Sequence, residues 1–342
     1  MARTSKMNMI MHGDGHGGVH HHDGFINVNG IFEGRFDIVL TNPPFGANVE
    51  TGDLILESEV AVDEEIHERY VRDHGSPYVE AHDRVQAAVG KSITSLFDLP
   101  GGQQTKVKTE LLFIERCLKL LKPGGRLGIV LPEGVFNNPS LAYVREFCED
   151  QAYLRAVVSL PQETFYSSGA SVKASLLFLQ KFTVEEQNRF NAVRDQAQNE
   201  RRGAHQAELD RLDAAIRRPP YKPSDFYPSR GKPTTDERAA ATAAARAANA
   251  ERITARNAAQ KRLKELTETI RQEARALLKE RFDYPIFLYE AEKVGITATG
   301  EADRNELHPN DNPPPDLAAT CLDLYREFRR DPDRFFVNGS AA

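Results

Sequence analysis

From residue 106 onward, apolar positions recur with helical and strand periods in turn. In KVKTELLFIERCLKLLKPGG, Leu111, Leu112, Ile114, Leu118 and Leu121 share one helical face. The pattern predicts that this helix closes at Pro123-Gly124-Gly125, with Lys119 and Lys122 near the negative end of its dipole. RLGIVLP follows as a strand. Asn138 as N-cap and Pro139 at the first helical position open a second helix, which runs to about Glu149. LRAVVSLP and SVKASLLFLQK read as two further strands. Upstream, Phe36–Leu40 is a short apolar run bounded by turn signals, which predicts a fully buried strand. Strand, helix, strand, helix, strand, strand predicts an α/β sheet whose end is antiparallel.

Between and around these segments the patterning weakens. Residues 1–30 are rich in Gly and His and hold little regular pattern. From Phe45 to about residue 104 runs a polar connection, acidic in its first part, which reads as a lid or binding loop or else as a solvated insertion. Residues 183–281 are rich in Ala, Arg, Glu and Gln. Leu263, Leu266, Ile270, Ala274 and Leu277 step by three and four, and Leu209, Leu212 and Ile216 repeat this more weakly before a Pro-rich hinge. Two long helices folded back on each other are expected, inserted into the α/β domain, because YPIFLYEAEKV returns to strand composition. The organisation is thus an α/β core over 1–182, a helical hairpin over 183–281, and a return strand with a C-terminal helix over 282–342.

Composition narrows the class. Among 342 residues, 40% are apolar and 27% charged, and no run of 18 apolar residues offers a membrane span. No secretory segment follows the start, so the expected compartment is the cytoplasm. Cys117, Cys148 and Cys321 lie far apart with no CxxC pair, which predicts buried free thiols. A formal net charge of −6 does not advertise nucleic-acid binding, so a chain acting on DNA would need a local basic surface or a basic partner. His12, His16, His20, His21 and His22 cluster, but metal ligands need fixed geometry and usually a thiolate or carboxylate partner, and this segment holds little regular pattern, so no metal is expected.

The chemistry concentrates in FDIVLTNPPFG, where a strand runs into Asn42-Pro43-Pro44-Phe45. An exocyclic amine on an aromatic ring is a poor nucleophile because its lone pair is delocalised. Two acceptors set against its hydrogens draw the nitrogen towards a tetrahedral shape and free that pair. Asn42 offers a side-chain oxygen and Pro43 a backbone carbonyl, and the prolines restrict the backbone that carries them. Phe45 offers a ring on which a base swung out of a duplex stacks. A sulfonium methyl donor makes a metal or strong base unnecessary.

TNPPFG, ELLFIERCLKLLKPGGRLGIVLPEGVF, SLPQETF and VKASLLFLQK resemble, in that order, the modification subunit of type I restriction–modification systems, which are adenine-N6 DNA methyltransferases using S-adenosylmethionine. KMNMIMHGDGH and YPIFLYEAEKVGITATGE extend the likeness to most of the chain outside the helical insert. The resemblance implies a partial Rossmann-like class I methyltransferase sheet and a catalytic motif at Asn42, Pro43, Pro44 and Phe45. It places Asp23 where the family binds the cofactor's adenine amine, and Phe165 where a second aromatic meets the flipped base. It implies double-stranded DNA and a specificity subunit as partners, leaves open a nuclease subunit, and favours the helical arms as the specificity subunit's docking element over a track for DNA phosphates or a solvated hairpin. The neighbouring readings are methylation of an RNA base or protein amide, and a non-catalytic assembly module.

One family feature is missing. No glycine-rich loop follows a first strand, and no acidic residue ends a second one. Gly13-Asp14-Gly15-His16-Gly17-Gly18 fits G-x-G-x-x-G formally but has neither a strand before it nor a helix after it. The expectation is therefore the carboxy-terminal part of a modification subunit, through truncation, a split gene with a complementing N-terminal chain, or an incomplete reading frame. Alone it would bind S-adenosylmethionine poorly, and Phe36–Leu40 would form an unpaired edge.

Overall fold

The computed structural model describes residues 2–15, 18–20, 23–26, 28–99, 106–229 and 231–336; His16, Gly17, His21 and His22 lie outside them. In chain order the strands are β1 (Phe36–Thr41), β2 (Asn48–Glu50), β3 (Lys106–Lys108), β4 (Leu121–Pro132), β5 (Ala152–Ser159), β6 (Ala174–Lys181), β7 (Phe287–Glu290), β8 (Val294–Ile296) and β9 (Ala302–Asn305). The helices are α1 (Ala2–Met11), α2 (Glu57–Val60), α3 (Glu64–His74), α4 (Ser76–Gln86), α5 (Thr109–Leu120), α6 (Gly134–Asn137), α7 (Ala142–Glu149), α8 (Val184–Ala204), α9 (Gln206–Arg217), α10 (Thr235–Arg281) and α11 (Cys321–Arg330). The chain divides into two units, Met1–Gln187 with Tyr284–Ala342, and Asn188–Asp283.

The first unit is α/β, built on a sheet of order β1-β4-β6-β5-β7. β1 runs parallel to β4 and β7 parallel to β5, while β6 is antiparallel to both its neighbours. The antiparallel strand therefore lies inside the sheet, because β7, which follows the helical arms in sequence, adds beyond β5. Alternation assigns the faces. Val39, Leu127, Ile129, Leu177 and Leu179 point to the side covered by α5 and α7, where Leu112, Ile114, Leu118 and Val144 are wholly buried. Each such aliphatic side chain contributes roughly 1.5–3 kcal/mol on burial.

Three expectations are corrected here. Phe36–Leu40 is not fully buried: β1 is an edge strand, and Ile38 and Leu40 are 52% and 76% exposed. Only Val39 turns into the core, and among the described residues no strand pairs with the outer edge of β1. Helix α5 ends at Leu120, short of the proline and glycines, because Leu121 is wholly buried opposite Phe36 and starts β4. Pro123-Gly124-Gly125 becomes a bulge: the register steps from Phe36↔Leu121 to Ile38↔Arg126, with Gly124 at φ 79°. The connection after Phe45 is packed rather than loose. β2 and β3 zip its two ends together, and Val49, Ile55, Val85, Ile93 and Leu96 join the cluster around α5.

Asn138 caps as its sequence suggests, its side chain accepting from Ser140 N at 2.9 Å, but the turn it opens is 3₁₀ over Pro139–Leu141 before α7 begins. Cys117, Cys148 and Cys321 are all free and buried.

In the second unit the returning arm is one 47-residue helix, α10, opened by a Thr234–Glu237 capping box. The outgoing arm breaks at His205 into α8 and α9. Glu208–Arg262 and Glu200–Arg281 ion pairs join the two arms. The Pro-rich hinge is tied down by a reciprocal pair, Tyr221 N to Asn249 Oδ1 and Asn249 Nδ2 to Tyr221 O, both 2.9 Å.

Candidate active site

The carboxyl end of β1 delivers the Asn-Pro-Pro-Phe segment to the surface, and the amino end of α5 holds it there. Thr109 is buried; its hydroxyl donates to the Pro44 carbonyl at 3.0 Å and lies 3.4 Å from the Ala47 carbonyl, to which Thr109 N also donates at 3.1 Å. Pro43 is buried, Phe45 half-buried, and Asn42 exposed. Among the described residues no donor reaches the Asn42 side chain or the Pro43 carbonyl, so both acceptors stand free while the turn carrying them is pinned one residue on. The proline rings and the Thr109 strut fix the backbone in advance of any ligand.

Asn42 lines a shallow cavity of about 360 Å³ together with Leu40, Thr41, Gly128, Leu176 and Phe178. Gly128 forms its floor: a Cβ there would lie 2.8 Å from Leu40 Cδ2 and 3.3 Å from the Phe178 ring. The glycine thus permits Leu40 and Phe178 to close over the strand.

Phe178 is the aromatic that lines the Asn42 cavity, and reading the sequence missed it. Its signal is a large ring at a strand position whose neighbours Leu177 and Leu179 point into the core, leaving Phe178 37% exposed. Phe165, by contrast, packs against Ala156, Val158, Phe287 and Phe328 of the β5–β7–α11 cluster and does not line this cavity. Asp23 closes a turn, Oδ1 accepting from Phe25 N at 2.7 Å. That turn is anchored by Arg116 of α5, buried, whose Nε donates to the Gly24 carbonyl at 3.1 Å and whose Nη2 donates to the Ile31 carbonyl at 3.2 Å. Burial lowers the Arg116 pKa to about 10, which leaves the guanidinium charged at neutral pH. Beside Thr109, Glu110 is only 2% exposed and its Oε2 has no hydrogen-bond partner among the described residues, a buried acceptor next to the held turn.

The described residues do not make up a site for S-adenosylmethionine. Gly13 and Gly15 follow helix α1 rather than a strand, and a Cβ built on either meets nothing within 4 Å, so they form no close-fitting cradle. Asp23 already uses one oxygen within its own turn. In open α/β sheets ligands sit in a crevice at the carboxyl ends of two neighbouring strands. β1, which carries the motif, has a neighbour on one side only among the described residues.

Residues 91–256 match the family model described as N-6 DNA Methylase. The chain is 32% identical over 103 residues to the methylase subunit of the type I restriction enzyme EcoKI of Escherichia coli (strain K12), covering 30% of this chain and 18% of that protein. It is 27% identical over 191 residues to the StySPI methylase subunit of Salmonella potsdam, covering 54% of this chain and 27% of that one. The crystal structure of the EcoKI M protein aligns with 25% identity and a TM-score of 0.34 over 54% of this chain and 30% of its own. The chain therefore spans less than a third of the length of these relatives.

Proposed function

We propose that this chain, whose residues 91–256 match the N-6 DNA Methylase family model and which is similar to type I methylase subunits, carries the amine-activating half of an adenine-N6 DNA methyltransferase of a restriction–modification system. The observation that carries the reading is the pinned turn at the end of β1. The acceptors on exposed Asn42 and buried Pro43 meet no donor among the described residues, while Thr109 braces the next carbonyl. An adenine swung out of double-stranded DNA would direct its N6 hydrogens at the Asn42 oxygen and the Pro43 carbonyl. Its ring would stack on Phe45, and Phe178 walls the cavity that Asn42 lines. The acceptors hold the amine's protons while its lone pair turns towards the methyl donor, which in this family is S-adenosylmethionine.

The donor's own site requires another polypeptide segment placed along β1, and the reading assigns none of it to this chain beyond the turn at Asp23. Sequence recognition belongs to a separate specificity subunit and cleavage to a nuclease subunit, with the α8–α10 arms as the docking element for the former.

In an enzyme reconstituted with the complementing segment, Asn42→Ala is expected to lower transfer of labelled methyl to adenine by about 10²–10³-fold, the usual cost of losing one positioned acceptor or donor. Turnover within a factor of about two of the parent would refute the assignment. The isolated chain is expected to show no micromolar S-adenosylmethionine binding by titration calorimetry.

A further inference from the structure

Charge is spread unevenly along the chain. Residues 188–283, the second unit, hold 21 Lys and Arg against 14 Asp and Glu, so that unit carries +7 and the rest of the chain −13. Within the unit the excess is distal. Residues 211–264, which turn at the Pro-rich hinge, hold 13 basic side chains against five acidic ones. The base of the arms, 188–210 with 265–283, is near balance at eight against nine. A net charge of −6 thus conceals the local basic surface that a chain acting on DNA requires.

The structure leaves these cations available. On α10, Arg238, Arg246, Arg252 and Arg256 fall within about 120° of one another and span about 27 Å, with Glu251 on the far side. Among the described residues none of the four arginines forms an ion pair. Arg252 Nη1 donates to the Arg218 carbonyl at 3.0 Å, and its Nε is buried with no hydrogen-bond partner among the described residues. The neighbouring carboxylates are engaged in local turns and pairs. Asp225 Oδ2 accepts from Lys222 N and Glu237 Oε2 from Thr234 N, both at 2.7 Å, and Asp213 pairs with Arg217 at 2.9 Å. Nearer the base the cations are spent between the arms, in the Glu200–Arg281 and Glu208–Arg262 pairs.

Composition selects a polyanion over a protein surface. Nine of the 13 distal basic residues are Arg, whose planar fork meets phosphate oxygens two at a time. Between them the stretch is rich in Ala, and among its described residues only Phe226, Tyr227 and Ile253 are large apolar side chains left exposed. It therefore lacks the apolar centre on which protein interfaces are built. Duplex DNA carries one charge per about 1.7 Å of axis, a continuous counterpart to a stripe of this length.

We propose that the distal half of the helical hairpin, residues 211–264, grips the phosphate backbone of double-stranded DNA without reading its sequence. The inference rests on the methyl-transfer reading for its partner and adds the surface that holds it. The balanced base of the arms is left for the specificity subunit.

The test titrates a fluorescein-labelled duplex of about 24 base pairs, longer than the stripe, with the full chain at about 50–200 mM salt and reads anisotropy. Log affinity is expected to fall linearly with log salt, and two duplexes of unrelated sequence should bind alike. Arg238→Gln with Arg246→Gln and Arg256→Gln keeps helix propensity and removes three contacts. This distal triple should flatten the salt slope by about 2.7 and weaken binding at about 50 mM salt at least about tenfold. Arg194→Gln with Arg271→Gln and Lys279→Gln, the same loss of charge at the base, should leave the slope unchanged. The proposal is overturned if the two triples, shown folded by circular dichroism, act alike, or if the parent fails to bind at about 50 mM salt. It is also overturned if the two sequences differ by more than about tenfold, which is base readout. A dimer in light scattering that the distal triple dissociates overturns it too, since the acidic unit of a second copy would then be the occupant. Failure of the methyl-transfer reading shows instead as undiminished turnover in Asn42→Ala, whereas the salt slope involves neither cofactor nor chemistry.

Discussion

Thr109→Val isolates the strut under the candidate site. Valine keeps both branches of the side chain and removes only the hydroxyl, whose proton serves the Pro44 carbonyl at 3.0 Å and, less directly, the Ala47 carbonyl at 3.4 Å. The backbone bond from Thr109 N to the Ala47 carbonyl survives, so the turn stays attached at one point instead of two. One neutral hydrogen bond is worth about 1 kcal/mol net. Pro44 is exposed, so water reaches the vacated carbonyl and the full penalty of a buried orphan does not arise. A local loss of about 1 kcal/mol corresponds to roughly a fivefold rise in opening of the turn. Hydrogen exchange read by mass spectrometry on a peptide spanning residues 42–50 is expected to show the amides after the prolines exchanging about fivefold faster, with peptides from β5 and β6 unchanged. In a reconstituted enzyme, turnover should fall more steeply than stability, because small misplacements of reacting groups cost up to about 10²-fold. Unchanged exchange in that peptide would mean the hydroxyl does not hold the turn, and the account of the site as a braced pair of acceptors would fail.

Two further predictions concern the scaffold. Glu115 is wholly buried, accepting from Asp98 N and Leu99 N at 2.8 Å each and pairing with Lys119 Nζ at 2.5 Å. Glu115→Ala strands two amides, while Lys119 Nζ keeps the Leu96 carbonyl at 3.0 Å and Asp98 at 3.5 Å, and should cost about 2–4 kcal/mol in urea unfolding followed by circular dichroism; a loss under about 1 kcal/mol would contradict this. Burial pushes the Cys148 thiol up from 9.0 to about 12. The folded chain then holds this proton while the unfolded chain releases it, so the associated stability is full below about pH 9 and declines as pH rises towards 12. Cys148→Ala should flatten the fall of the urea midpoint between about pH 9 and 10.5 by one proton's slope, about 1.4 kcal/mol per pH unit, and an identical slope in both proteins would refute the buried-thiol account.

Much of the site was legible because its signals are local. A strand ending in two prolines, and an amide beside them, are read directly from FDIVLTNPPF, and the α5 pattern announces the helix that braces it. What stayed hidden depends on neighbours. The missing first strand announced the free edge of β1, but a five-residue apolar run does not say which of its faces is covered, so the exposure of Ile38 and Leu40 could not be read from Phe36–Leu40. Pro123-Gly124-Gly125 has the composition of a helix stop, yet the burial of Leu121 against Phe36 makes it a bulge within a strand. Val49, Ile55 and Val85 are too sparse and irregular to advertise that the long connection packs on α5. Phe165 and Phe178 are indistinguishable as aromatics; only the tertiary fold sends the first to the α11 cluster and the second to the cavity beside Asn42.

The 47-residue span of α10 turns arm length into a question of phase. At 1.5 Å and 100° per residue it reaches about 70 Å, and every residue inserted near its base rotates all that lies beyond by about a quarter-turn. Tyr221 and Asn249 clasp only if the α9 and α10 sides stay in step, so a single-residue insertion in one arm should unfasten the hinge. Removing about seven residues from each arm keeps the facing sides aligned. Homologous arms should therefore differ by whole heptads, changed together on both strokes of the hairpin.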